Sequence, residues 1–213
     1  MQHLRLDTFL NLSIIIPALV GIFVFSTISK DYRYFIISIC LGALHEFNSE
    51  FNFISRQLSE FMYSLASTQL ILYIYFKWDA KKIALYKKYI LHSFIFFLVV
   101  VDQYYDYISI YHIKWALILC MIGISLYGIR LLTQVQNKLM SERIHLSRKL
   151  IIVPFMVFSV YYAAINILMH YLFNANTQAM FLNLYTVIRL INFLSYISYT
   201  LALIWAPKKE IFL

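Results

Sequence analysis

FLNLYTVIRLINFLSYISYTLALIWAPKK, Phe181 to Lys209, is the stretch that decides how the rest of the chain is read. Its apolar part, Phe181 to Trp205, has the length a helix needs to cross a hydrocarbon core, which takes about 20 residues. It carries one internal charge, Arg189, flanked by Asn183, Tyr185, Asn192 and Tyr196, and it closes on Pro207, Lys208 and Lys209. An arginine in a lipid-spanning helix costs about 2.5–3.5 kcal/mol on insertion scales unless a counter-charge, water or the headgroup region receives it. The other helices must therefore supply its surroundings.

Composition places the whole chain in the same class as this segment. With 62% hydrophobic and 13% charged residues in 213, there is too little polar material to cover a soluble surface of this size. Residues 1–213 read as a single transmembrane domain, because no polar stretch approaches the roughly 50 residues of a separate soluble unit. The net charge of +8 does not indicate nucleic acid, since the basic residues gather in the short loops between apolar runs. Cys40 and Cys120 lie inside apolar runs and read as small buried hydrophobes. Only 4 glycines stand beside 18 tyrosines and 18 phenylalanines, which describes bulky helices with few close contacts through glycine.

Seven apolar runs follow one another, at about 9–28, 34–53, 58–76, 89–107, 115–133, 150–173 and 181–205. The expected fold is an all-α bundle of seven transmembrane helices. The first run is too long for a signal-peptide core, and Pro17 inside it predicts a kink. The segment between the fifth and sixth runs, the longest connection, reads as a short surface helix.

Lysines and arginines orient the bundle. Lys30 and Arg33 follow the first run; Lys77, Lys81, Lys82, Lys87 and Lys88 follow the third; Arg130, Lys138, Arg143, Arg148 and Lys149 follow the fifth; Lys208 and Lys209 follow the seventh. The opposite side has only Arg5, Arg56 and Lys114. The excess predicts an amino terminus outside, a carboxyl terminus in the cytoplasm, and a plasma or bacterial inner membrane as the site. The basic loops and tail form an expected cytoplasmic surface for anionic lipid or a protein partner.

That orientation gathers the unusual polar residues at the outer end. Arg189 falls about 12 Å below the outer start of its run at ~1.5 Å per residue, and Glu46 and Asp102 reach comparable depths. Either carboxylate is a candidate partner in an ion pair with Arg189. Glu46 and Glu50, like Asp102 and Asp106, stand four residues apart and share a helix face. A polar pocket lined by His45, Glu46, Asp102, Asn166, His170, Tyr185, Arg189 and Asn192 is the expected ligand site.

Catalytic and cofactor chemistry find little in the sequence. No Gly-x-Ser-x-Gly elbow, His-Glu-x-x-His or glycine-rich phosphate loop is present. Haem needs axial residues at matched depth; His92 lies toward the inner side, away from His45 and His170. A metal on His45, Glu46, His170 and Asp102 has suitable ligand types, yet adjacent positions 45 and 46 point about 100° apart on a helix. No metal and no cofactor are expected. The last run has no lysine at its centre for a Schiff base, and no three-helix repeat is visible.

The expected function is that of a non-enzymatic receptor-like protein or accessory subunit of a membrane complex, its outer pocket taking a small molecule, lipid headgroup or partner. Expected partners are membrane lipids and a protein partner or second copy, without nucleic acid. The alternative is a small-solute transporter, or an intramembrane lipid hydrolase using Glu46 and Asp102 as acid and base.

Overall fold

The alternation of apolar runs with short charged connections folds into helices throughout the computed structural model, which describes residues 8–79, 84–108, 115–136, 142–172 and 177–208. The described residues contain seven helices: α1 (Ile15–Val24), α2 (Lys30–Phe51), α3 (Arg56–Trp78), α4 (Leu85–Ile108), α5 (Trp115–Gln136), α6 (Glu142–Leu172) and α7 (Gln178–Ile204). The fold is all-α. Two helices, over Glu142–Leu168 and Met180–Ile204, are long and apolar enough to cross a membrane; the apolar stretches Thr8–Val24 and Leu117–Thr133 are shorter.

Helix boundaries depart from the apolar runs in three places, each for a local reason. Pro17 follows a break in the helix: a helical turn at 8–12 gives way at Ser13 and Ile14, the Ser13 carbonyl accepting from Ile16 N–H at 3.1 Å, and α1 then starts at Ile15. Proline thus occupies the first turn, where a missing N–H costs nothing. The segment expected as a separate surface piece is largely the first two turns of α6, 31 residues long, which runs through Pro154. Between α2 and α3, Asn52 adopts the left-handed conformation that ends a helix, with φ at 54°. Asn48 braces the turn from below, its Oδ1 accepting from Ile54 N–H at 2.8 Å and its Nδ2 donating to Ile54 C=O at 3.1 Å.

Packing runs in a circuit. α1 lies between α2 and α7, α2 on α3, α3 on α5, α5 on α6 and α6 on α7, with α4 seated against α3 and α5. Neighbours in sequence are antiparallel, as Tyr34 against Tyr73 and Ser147 against Ala202 require. Odd and even connections therefore fall at opposite ends, called here the Asp79 end and the Glu46 end. Thr8 touches Glu50 at the Glu46 end, whereas Ser29 N–H donates to Pro207 C=O at 3.0 Å at the other.

The main core sits toward the Asp79 end. Ile28, Tyr32, Tyr75, Trp78, Leu131, Ile152, Ala202 and Leu203 are buried there in one cluster. Glycine, though rare, is placed where helices cross most closely. A Cβ added at Gly21 would lie 2.8 Å from Ile36, at Gly42 2.8 Å from Ile14, and at Gly128 3.0 Å from Ile152. Sparse glycine thus does not mean loose crossings. The outward faces stay apolar: Phe23, Leu44, Ile90, Phe97, Leu119, Val160, Leu182 and Ile204 are all exposed.

Candidate functional site

At the Glu46 end, α2 and α3 place a polar group in the interior because their hairpin is tight. Ser55 caps α3, its Oγ accepting from Leu58 N–H at 3.3 Å, and one turn later Ser59 Oγ lies 2.9 Å from His45 Nδ1. The His45 ring is stacked flat on Tyr63, with centroids 5.0 Å apart and 6° between planes. His45 is held by this hydrogen bond and this ring face. Its neighbour Glu46 points elsewhere on the helix, half-buried, within electrostatic reach of Glu50, Arg189 and Arg56.

This brings together the two residues most strongly singled out in the sequence. Glu46 from α2 and Arg189 from α7 feel each other's charge across the interior. Tyr63 and Tyr196 lie beside Glu46, and Tyr199 lies beside both tyrosines. A second set lies around Tyr162 on α6, which is within reach of Glu60, Tyr185 and Asp102, and Asn166 Nδ2 donates to its backbone carbonyl at 2.8 Å. Asn192 is half-buried on α7; His170 lies on α6, and its side chain is outside the described residues.

The other two carboxylates have structural partners. Asp102 is buried, and its Oδ2 accepts from Leu117 N–H at 3.3 Å, satisfying one of the donors that the start of α5 leaves without an intrahelical partner. Glu50 accepts from Thr8 Oγ1 and Asn11 Nδ2, both at 3.2 Å, tying the residues before α1 to α2. Glu46 and Glu50 share a face as expected but do different work. Among the described residues, no group of three His, Cys, Asp or Glu converges as a metal-binding set.

The Asp79 end holds a polar network that charge counting did not reveal. Tyr127 Oη donates to Asp79 Oδ2 at 2.6 Å, and Arg130 lies 3.4 Å from the same oxygen. The Asp79 side chain is 1% exposed and the Arg130 side chain 46%, so the acid is buried beneath its cation. Arg148 lies over the Trp78 ring at 5.1 Å, Trp78 packs on Tyr32 at 5.5 Å, and Ser147 Oγ donates to Ala202 C=O at 2.7 Å. The signal was present in the sequence as a lone acid, Asp79, set in a run of lysines. Its partners came from α5, which no local pattern identified.

The expected basic surface is distributed over this end. Lys77 lies over Tyr73, Lys87 over Tyr86 and Lys88 over Phe76, each within 6.0 Å of the ring centroid. Arg143 and Lys208 are exposed, and Arg148 and Lys149 are half-buried. Lys81, Lys82, Lys138 and Lys209 lie outside the described residues. No family model, curated protein or solved structure matches the chain.

Proposed function

We propose that the chain is an integral membrane protein of seven spans, in a plasma or bacterial inner membrane, with the Glu46 end outside and the Asp79 end in the cytoplasm. It acts as a receptor-like protein or accessory subunit whose outer polar cluster takes a small ligand, lipid headgroup or partner. The apolar outward faces support the membrane reading, because exposed patches on this scale are foreign to soluble monomers. Alternation of helix direction supports an orientation with the lysine- and arginine-rich connections together at one end, the arrangement the positive-inside bias requires.

The observation that carries the functional reading is the meeting of Glu46 and Arg189 among tyrosines in the interior of one end. Ionisable groups at that depth are costly, and a ligand site is a use that repays retaining them. The acid–base alternative has no observation in its favour, since Asp102 is engaged by Leu117 N–H.

Purification from native membranes in a mild detergent, with mass spectrometry of everything retained, tests this reading. A stoichiometric protein or small molecule is expected; repeated recovery of the chain alone would count against it. Sidedness is tested with a membrane-impermeant thiol reagent on whole cells. Cysteine at Phe53 should react and cysteine at Lys208 should not, and the reverse pattern would invert the topology.

A further inference from the structure

Where α2 meets α3 at the Asp79 end, three side chains come together on the outer side of the bundle. The rings of Tyr34 and Tyr73 meet edge to face, with centroids 4.7 Å apart and 67° between planes, and Lys77 Nζ lies 5.5 Å from the centre of the Tyr73 ring. Tyr34 and Lys77 also both act on the Tyr73 hydroxyl, so the polar heads gather as well as the rings. The tyrosines are half-buried and Lys77 is exposed, which leaves the group open to its surroundings. Each head can donate a hydrogen bond, and one of them carries a full positive charge.

Position and charge balance say what such a group meets. Tyr34 stands one turn inside the start of α2, and Lys77 lies in the last turn of α3. At ~1.5 Å per residue Tyr34 is about 6 Å from its helix end, near the headgroup level at which tyrosine is enriched in a bilayer. Farther along the two helices, Ile37 and Leu44 of α2 and Met62 of α3 are exposed and apolar. No carboxylate pairs with Lys77 among the described residues; Asp79, the nearest acid in sequence, is buried beneath Arg130 and accepts from Tyr127. Other cations of this end are placed differently, Arg130 on Asp79 and Arg148 over the buried Trp78 ring.

We propose that Lys77, Tyr34 and Tyr73 form the headgroup site of an anionic glycerophospholipid, its phosphate oxygens accepting from the ammonium and the two hydroxyls and its chains lying along Ile37, Leu44 and Met62. An ammonium with no carboxylate beside it favours an anion, and charge-assisted bonds to phosphate are the strong ones. A choline headgroup would bring a second cation against Lys77, so a zwitterionic lipid fits less well. The proposal rests on the bundle lying in a membrane with this end at the cytoplasmic leaflet, and it is independent of the Glu46 cluster.

The test uses the full chain in a non-ionic detergent, with bound lipid read by native mass spectrometry. The probes are dioctanoyl phosphatidylglycerol, dioctanoyl phosphatidylcholine and inorganic phosphate. Phosphatidylglycerol is expected to bind about ten-fold tighter than phosphatidylcholine, and Lys77→Gln, or Tyr34→Phe combined with Tyr73→Phe, to remove most of that preference. Arg143→Gln, an equal change of charge on α6, should leave it intact. The comparison of lipids needs no variant, so misfolding of a mutant cannot mask it. Equal binding of the two lipids, or an equal loss from Arg143→Gln and Lys77→Gln, would overturn the proposal. Inorganic phosphate binding as tightly as phosphatidylglycerol would overturn it as well, because the chains would then contribute nothing. Labelling of a cysteine at Lys208 from outside would overturn the choice of leaflet, whereas lipid selectivity stands or falls separately from it.

Discussion

The two ends of the bundle use buried polar groups in opposite ways. At the Asp79 end three polar side chains meet partners from other helices within a short distance: Asp79 with Tyr127 and Arg130, Arg148 with Trp78, Ser147 with Ala202. The main apolar cluster surrounds them, and the chain's last described residues are tied to the α1–α2 connection. At the Glu46 end Glu46 and Glu50 stand near Arg189 and Arg56, with Tyr63 and Tyr196 beside Glu46. Polar contacts inside a close-packed region specify one arrangement, whereas ionisable groups gathered in a half-buried cluster are candidates for binding. Stability should therefore reside mainly at one end and ligand response at the other.

The largest effect is expected where a buried acid loses its network. Asp79→Ala removes the acceptor of the 2.6 Å Tyr127 bond and the counter-charge of Arg130. It should cost about 3 kcal/mol, with Arg130's exposure keeping the value at the lower end for a broken pair. Thermal unfolding in detergent would register this as a fall of roughly 6–12 °C for a chain of this size. Tyr127→Phe, which keeps the ring packing and the pair, should cost about 1 kcal/mol. Equal losses from the two variants would mean that packing, and not the charge network, holds this end.

A smaller pair of changes with opposite signs probes the crossings. A methyl group at Gly21 meets Ile36 at 2.8 Å, so Gly21→Ala should destabilise by about 1–2 kcal/mol unless α1 and α2 part. Gly123 has nothing within 4 Å of the same position, and Gly123→Ala should stabilise by up to about 1 kcal/mol through helix propensity. The melting temperatures of the two proteins should straddle the wild-type value. If both fall, the α5 surface at Gly123 is covered by something outside the chain.

Much of this architecture was legible in the sequence because its determinants are periodic or cumulative. Apolar length located the helices to within a few residues, except where a connection continued as helix at Glu142 or a proline moved the start of α1 to Ile15. Polar residues at matching depth put Glu46 and Arg189 at one end of the bundle in the sequence, because helical rise is constant. The contact of Asp102 with the start of α5 was harder to read, because it depends on how α4 meets α5, which depth does not encode. The Asp79 network escaped for a related reason. An acid among lysines reads as solvated, and only the pairing of α3 with α5 shows that it is covered.

The smallest stability effect, and the sharpest test of the contrast between the ends, concerns Arg189. Glu46 has Glu50 as a like-charged neighbour, and Arg189 is among the charges that oppose this repulsion. Removing the guanidinium leaves two acids a helical turn apart with less compensation, while Glu50 keeps its hydrogen bonds from Thr8 and Asn11. Arg189→Leu should therefore lower stability by about 1 kcal/mol, less than the loss at Asp79 because the outer groups are half-buried and partly screened. Glu46→Gln in the same chain should restore most of that loss, giving a coupling energy of about 0.5–1 kcal/mol in a double-mutant cycle. Glu46→Gln alone should change the melting temperature little, since an amide of the same shape no longer repels Glu50 and no longer needs Arg189. A cycle with no coupling would separate the two residues energetically and leave Arg189 to be explained by its other surroundings. A coupling as large as the Asp79 loss would make the outer end as structural as the inner, and the division of labour between them would not hold.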